Sequence, residues 1–317
     1  MLPLVEVRHL SKYFKVPAGL LHAVDGVSFS INRGETLGVV GESGCGKSTL
    51  GRTIIRLQDP TSGQILLNGE DITRVRGKDL KRVREKVQII FQDPYSSLNP
   101  RQRIEATVRE PLVNSGRYSR SEIKEMAAHL MDLVGVDRRL RECYPHELDG
   151  GRRQRVCIAR ALALNPEFIV CDEPVSSLDV SIRAQVLNLL MDLQDQMGMT
   201  YMFVTHDLSV VRHISHHICV MYLGEQVEMC QTKELFSNSL HPYTKALLSA
   251  VPSTNIFEPM RRVQLRGEPT SPINPKPGCR FAPRCLYAKE ECGLPQKLEE
   301  VSPQHYVACC RVREINA

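Results

Sequence analysis

Glycines at 41, 44 and 46, followed by Lys47 and Ser48, spell out G-x-x-x-x-G-K-S in the segment Gly41-Glu42-Ser43-Gly44-Cys45-Gly46-Lys47-Ser48. Glycine lets a backbone curl around phosphate oxygens with its N–H groups turned inward, and a following helix N-terminus adds positive potential. In that setting Lys47 reaches the β- and γ-phosphates of a nucleoside triphosphate and Ser48 ligates Mg²⁺. Further on, Phe168-Ile169-Val170-Cys171-Asp172-Glu173 is an apolar run ending in paired acids. Asp172 supplies a second Mg²⁺ partner, and Glu173 is the candidate to orient or deprotonate an attacking water. His206 follows Thr200-Tyr201-Met202-Phe203-Val204-Thr205 and stands where a strand-tip histidine can hydrogen-bond a γ-phosphate. Each feature alone has a plain reading as a glycine turn, a solvated carboxylate or a structural histidine. Their joint occurrence predicts a chain that binds a nucleoside triphosphate.

The elements that must hold these groups are legible in the periodicity. Thr36-Leu37-Gly38-Val39-Val40 predicts a buried strand entering the phosphate loop, and a helix is expected from Ser48 onward. Residues from about Leu4 to Phe91 alternate short strands with glycine turns at Gly26, Gly34, Gly63 and Gly69. From about Pro94 to Arg160 the pattern turns helical, with Ile104 to Val113 and Ile123 to Leu133 as amphipathic stretches. Strand–helix alternation returns from about Ala161 to Met229. Beyond Leu248, prolines at 269, 272, 275 and 277 mark an extended linker into a compact tail.

Between the two phosphate motifs lies Leu148-Asp149-Gly150-Gly151-Arg152, leading into Arg153-Gln154-Arg155-Val156 and the helical Cys157-Ile158-Ala159-Arg160-Ala161-Leu162. This resembles the signature motif of ABC transporter ATPases. Gln92 in Phe91-Gln92-Asp93-Pro94 resembles the family's Q-loop, Ser176-Ser177-Leu178-Asp179 its D-loop, and His206 its switch histidine. Phe14, beside Tyr13, falls where the family stacks an aromatic on adenine. Within the family, Asp93-Pro94-Tyr95-Ser96-Ser97-Leu98-Asn99-Pro100 and His241-Pro242-Tyr243-Thr244-Lys245-Ala246-Leu247-Leu248, with the cysteine-bearing tail, resemble the oligopeptide/dipeptide importer ATPases over nearly the whole chain.

The resemblance implies an α/β fold: a P-loop NTPase core of the ABC type with an antiparallel β subdomain, a helical subdomain and a small Cys-rich C-terminal appendage. Residues 1–250 would form the nucleotide-binding domain, with the helical subdomain at about 94–160, and 251–317 the Pro-rich linker and tail. It assigns ATP contacts to Phe14, Gly41, Ser43, Gly44, Gly46, Lys47, Ser48, Thr49, Gln92 and Asp172, and to Asp149, Gly150 and Gly151 acting on a partner chain. Catalysis falls to Glu173, His206 and Lys47, and Mg²⁺ to Ser48, Gln92 and Asp172. The family pairs two ATPase chains head to tail beneath two membrane-spanning permease subunits, with an extracytoplasmic solute-binding protein acting indirectly.

One departure stands out. Asp149 and Arg152 occupy positions where the family carries Ser and Gln, and the signature closes over the partner's nucleotide. Like charges ~4 Å apart at an effective dielectric of about 20 repel by roughly 4 kcal/mol, as an upper-side figure. One expectation is an asymmetric heterodimer in which the site closed by Asp149 is weak. The other is that Asp149 acts as an ordinary helix N-cap at little cost.

Eleven cysteines occur, five of them after residue 278. Cys279, Cys285, Cys292 and Cys309 are spaced C-x5-C-x6-C-x16-C, with Cys310 adjacent to the last. Disulfides are not expected in a reducing cytoplasm. Structural zinc sites use close C-x2–4-C pairs, which this tail lacks, so four thiolates in a loop-rich segment suit an iron–sulfur cluster better. Zinc and a metal-free tail remain the alternatives. The importer ATPases that the tail resembles can carry a [4Fe–4S] cluster here, with Cys309 taken as fourth ligand. The remaining cysteines (Cys45, Cys143, Cys157, Cys171, Cys219 and Cys230) read as core thiols or spectators. His213, His216 and His217 read as residues of an exposed helix rather than ligands.

Hydrophobic residues make up 42% of the chain and its net charge is a mild +5. No apolar run of 18 residues and no leader peptide is evident, so the expectation is a peripheral subunit on the cytoplasmic face of the cell membrane. The basic stretch Arg74 to Lys86 interleaves Asp79 and Glu85 and reads as a solvated helix face, not a nucleic-acid patch. An ABC ATPase acting on DNA would need a long coiled-coil insertion between the phosphate motifs, and a ribosome-acting one would carry two cassettes. The open alternatives are an importer ATPase for another solute (a metal chelate, sugar or opine) and a non-hydrolysing regulatory subunit.

Overall fold

A computed structural model describes residues 2–251, 263–268 and 270–317. Pro269 of the proline-rich linker lies outside the described residues. The chain divides into two compact units, one of Met1–Ile31, Thr36–Arg74 and Phe203–Ala317, the other of Asn32–Glu35 and Val75–Met202.

The first unit holds an antiparallel sheet in which Val5–Val16 pairs on one side with Gly19–Ile31 and on the other with Ser62–Leu67, itself edged by Glu70–Asp71. Val5 faces both Ile31 and Leu67 across the ladders, and Val5, Val7, Leu10, Val27, Ile31, Ile65 and Leu67 are all buried. That alternation places one face in the core, as a period of two requires. The four glycine turns all sit at positive φ, from 65° at Gly26 to 89° at Gly63, a region glycine enters at no steric cost.

The same unit contains Thr36–Val40, five consecutive buried residues running parallel to His217–Tyr222. A strand buried on both faces reads as a continuous apolar run, which is why Thr36–Val40 shows no alternation. His217–Tyr222 continues antiparallel into Glu225–Gln231. The tail then adds its own two strands, His305–Val307 against Glu225–Gln231 and Glu299–Ser302 outermost. One buried carboxylate pins this junction. Glu228 accepts from the backbone N–H groups of Leu240 and His241 and from His305 Nε2 at 2.7 Å. Upstream of the tail, Pro272–Asn274 runs along Gly19–Ile31: the Pro272 carbonyl accepts from His22 N–H, and Asn274 exchanges backbone and side-chain bonds with Leu20.

The second unit is mostly helical. Ile104–Ser115 and Arg120–Leu133 pack their buried faces on Gly150–Leu162. Ser119 and Glu122 form a reciprocal capping box that starts the second of these. Val87–Ile90 and Phe168–Asp172 run parallel in this unit. Gly77–Lys86 buries only Val83, so the basic stretch is indeed a solvated helix face. The histidine expectation needs correction. Leu208–Ile214 ends before His216, whose Nδ1 accepts from Thr36 N–H, and His217 opens a strand, so only His213 is helical. The helix stops there because Ser215 turns extended and hands the chain to the sheet.

Candidate active site

The phosphate loop follows the buried strand Thr36–Val40 and ends at the helix Lys47–Ile54. Two of its glycines are required by space as well as by φ. A Cβ on Gly41 would lie 2.2 Å from the Met221 carbonyl oxygen, and one on Gly46 would lie 1.9 Å from that of Ala23. Gly44 has φ 79°, and Ser43 and Gly44 are exposed at the crest of the loop. The buried Lys47 ammonium donates to the carbonyls of Gly41 and Glu42 at 2.8 and 2.9 Å. Ser48 and Thr49 occupy the first helical turn. Cys45 is buried beside Lys47, and desolvation raises its thiol pKa. The unit thus carries a preformed anion cradle with its cation in place.

His206 belongs to the same unit, exposed just past the strand Thr200–Val204. Asp207 behind it caps Leu208–Ile214, accepting from Ser209 N–H at 2.9 Å. Phe14 is half-buried on Val5–Val16, with the Lys12 ammonium 4.9 Å from its ring centroid. Tyr13 is committed elsewhere: it stacks on His22 at 4.0 Å and donates its hydroxyl to Asp25. Among the described residues Phe14, unlike Tyr13, has no aromatic ring stacked on it.

In the second unit, Asp172 is buried at the end of Phe168–Asp172, and Glu173 follows at φ +48°. A non-glycine residue in this left-handed region is characteristic of functional sites, where surrounding structure holds the strain. Gln92 Nε2 donates to Glu173 Oε2 at 3.0 Å, so two of the expected site residues meet directly. The Asp93-Pro94 pair after Gln92 acts as a helix start. Asp93 accepts from Tyr95 and Ser96 N–H groups, which holds its carboxyl below the usual range. Gly150 and Gly151 open the helix Gly150–Leu162. A Cβ on Gly151 would stand 2.5 Å from Ile182 Cγ2, and one on Gly150 3.2 Å from Leu178 Cδ2, which ties the signature to the D-loop helix. Asp149 is the N-cap: Oδ1 accepts from Arg152 N–H at 2.8 Å, and Oδ2 lies 3.3 Å from Arg152 Nη1. The cap and the ion pair use both carboxylate oxygens.

In the tail, Cys279, Cys285, Cys292 and Cys309 line one small cavity with Phe281 and Arg311. Cys310 is exposed and does not line it, though its thiol interacts with Cys292. Burial pushes the Cys279 thiol up to about 12 and Cys309 up to about 11. Among the described residues, no three His, Cys, Asp or Glu side chains converge tightly enough to hold a single metal ion. Of the other cysteines, Cys45, Cys157, Cys171, Cys219 and Cys230 are buried and Cys143 is half-exposed.

Sequence reasoning did not assign Glu42, Tyr243 or Arg284 to the site. Glu42 N–H donates to Tyr243 Oη at 2.9 Å, and its carboxylate accepts from Arg284 at 2.8 and 3.0 Å. Both partners lie in motifs legible as His241-Pro242-Tyr243 and Phe281-x-x-Arg284-Cys285, but nothing in one sequence ties them to residue 42.

Residues 24–176 match the family model described as ABC transporter, and 227–292 that described as Oligopeptide/dipeptide transporter, C-terminal region. The chain is 50% identical to the oligopeptide transport ATP-binding protein AppF of Bacillus subtilis, over 96% of each chain. This chain belongs to the ABC transporter family. It is also 47% identical to the dipeptide transport ATP-binding protein DppF of Haemophilus influenzae, over 98% of this chain and 97% of that one. Among solved structures, the ATP-binding cassette MJ0796, a dimer in a post-hydrolysis state bound to ADP and Pi, aligns with TM-score 0.66 at 30% identity. The alignment covers 98% of that cassette but 72% of this chain, so this ABC protein carries over a quarter of its length beyond the shared cassette. CbiO1 of Clostridium perfringens, part of an ABC transporter complex, aligns with TM-score 0.67 at 29% identity over 74% of this chain and 91% of that one. The fold is that of an ABC ATPase, and no helix among the described residues is long and apolar enough to cross a membrane.

Proposed function

We propose that this chain is the ATP-binding and hydrolysing subunit of a membrane importer for oligopeptides or dipeptides, working as a head-to-tail dimer of ATPase chains. The observation that carries this reading is the near-full-length likeness to peptide-transport ATP-binding proteins, tail included. In it the chain sits peripherally on the cytoplasmic face, against two membrane-spanning permeases fed by an extracytoplasmic solute-binding protein. Residues 1–250 serve as the nucleotide-binding domain, with residues 94–160 as the arm facing the permeases, and 251–317 as linker and tail. No nucleic acid takes part. Import of another solute by the same machine is the second reading, since nothing assigned here touches the cargo.

The roles divide by chemistry. Lys47, with Gly41, Ser43, Gly44, Gly46, Ser48 and Thr49, holds the triphosphate, and Phe14 offers a face to adenine. Ser48, Gln92 and Asp172 present hard oxygen donors suited to Mg²⁺, which polarises the phosphoryl oxygens when bound. Glu173, steadied by Gln92, orients the attacking water, and His206 donates to the γ-phosphate. Asp149, Gly150 and Gly151 act on the partner chain's nucleotide. Closure on ATP and reopening on release drive the permeases. Glu173→Gln in the assembled importer should abolish turnover, by 10²-fold or more, while retaining nucleotide; a rate within twofold of wild type would leave the non-hydrolysing reading standing.

For the tail we infer a [4Fe–4S] cluster, a reading supported by its likeness to the C-terminal region of oligopeptide/dipeptide transporters. Four cysteines around one cavity suit a cluster. Cys279, Cys285, Cys292 and Cys309 would hold it.

A further inference from the structure

Glu42 is the second residue of the phosphate loop, and it brings a negative charge to a loop whose ligand is an anion. Three contacts hold it. Its N–H donates to Tyr243 Oη, its carbonyl accepts from Lys47 Nζ, and its carboxylate accepts from Arg284 through both oxygens. Two of those three contacts come from C-terminal elements far away in sequence. Arg284 is 8% exposed and its guanidinium also lies over the Tyr222 ring, 5.9 Å from the centroid. Phe281, three residues earlier, packs on both Tyr222 and Tyr243 at 5.3 Å. The short helical turn Ala282–Arg284 thus presents Phe281 to the two tyrosines and Arg284 to the loop, with Cys285 next in the chain.

We propose that Arg284 is a positioning residue for the phosphate loop: it cancels the Glu42 carboxylate and ties the loop to the cysteine-bearing tail. The tail is then part of the nucleotide site. Loss of the guanidinium leaves a carboxylate, more than a quarter exposed, on the loop that must receive a triphosphate. Like charge at that range weakens anion binding, and more so at low salt. The inference rests on the reading of Gly41–Ser48 as the phosphate loop.

The test is equilibrium binding of a fluorescent ATP analogue with Mg²⁺ to the full-length chain and its Arg284→Gln, Glu42→Gln, double and Lys47→Ala variants. Arg284→Gln should raise Kd about tenfold, the worth of one charge-assisted bond, and this loss should shrink as salt is added. Glu42→Gln alone should bind as tightly as wild type or tighter, and the double variant should return to within about threefold of it. A purely structural Arg284 would give no such rescue. The proposal is overturned if Arg284→Gln binds like wild type, or if the double variant is as weak as Arg284→Gln. Should Arg284→Gln not fold, Glu42→Gln decides alone, a tenfold loss overturning the proposal and unchanged binding supporting it. Undiminished binding by Lys47→Ala would instead refute the phosphate-loop reading itself.

Discussion

Asp149 stands where resemblance to the ABC signature implies serine, and its two roles separate cleanly by substitution. As N-cap of Gly150–Leu162 it accepts one backbone N–H, and it pairs with the Arg152 guanidinium at 3.3 Å. Removing a cap acceptor costs about 1 kcal/mol. The ion pair is half-exposed on both sides and adds about 0–1 kcal/mol. Asp149→Ala should therefore destabilise by about 1–2 kcal/mol, whereas Asp149→Ser keeps an acceptor and loses only the ion pair, about 0–1 kcal/mol. A unit of this size loses about 2–4 °C of melting temperature per kcal/mol, which calorimetry of the full chain resolves. Catalysis moves the other way. A bare carboxylate ~4 Å from the partner's phosphate would cost roughly 4 kcal/mol at a dielectric of about 20, but Arg152 carries the opposite charge beside it. We expect Asp149→Ser to raise turnover of the assembled importer severalfold, to about tenfold at most. Equal stability of the Ala and Ser variants would refute the cap argument. An unchanged turnover in Asp149→Ser would refute the charge argument, and with it the weak second site of an asymmetric heterodimer.

Burial holds His241 neutral and lowers its pKa to about 4, with Nδ1 accepting from Tyr243 N–H. The unfolded chain takes up this proton first, near its ordinary value of about 6.5. Stability is therefore full above that pH and falls as pH drops toward 4, by about 3 kcal/mol for this group alone. Denaturant unfolding at pH 7.5 and 5 checks it, and His241→Asn should flatten the difference; an unaltered slope would count against burial as the cause. Gly46→Ala forces a Cβ against the Ala23 carbonyl at φ 104°, so nucleotide binding should drop by more than tenfold in the analogue assay. Chain purified without oxygen should carry iron and acid-labile sulfide near four each, lost together on Cys285→Ser; zinc in their place would remove the cluster.

Local chemistry made the phosphate loop, the Asp172–Glu173 strand end and the helical arm readable. Each is written in contiguous residues whose spacing matches one period or one turn. The Gln92–Glu173 bond could be anticipated only through family resemblance, because the two residues are far apart in the chain. The histidine misreading has a local cause: Leu208–Ile214 stops at Ser215, and a short run of histidines carries no periodicity to mark that stop. The anchoring of Glu42 was not legible at all. Its partners come from a helix start and a tail turn, and only tertiary packing of Phe281 on Tyr222 and Tyr243 brings them to the loop. The tail's strands were equally hidden, since Glu299–Ser302 and His305–Val307 are too short and too polar to show alternation.

Those two short strands have a consequence for anyone who would trim the chain to its cassette. Glu225–Gln231 is buried along most of its length, and His305–Val307 pairs with its outer edge at Glu228 and Met229. Cut the chain ahead of the tail and that ladder becomes an open template, the kind of surface by which sheets recruit other sheets. At the same stroke Glu228, fully enclosed, forfeits the imidazole that shares its burial. A truncated cassette is thus expected to precipitate rather than to report on catalysis, so the short form of this protein is the wrong minimal unit.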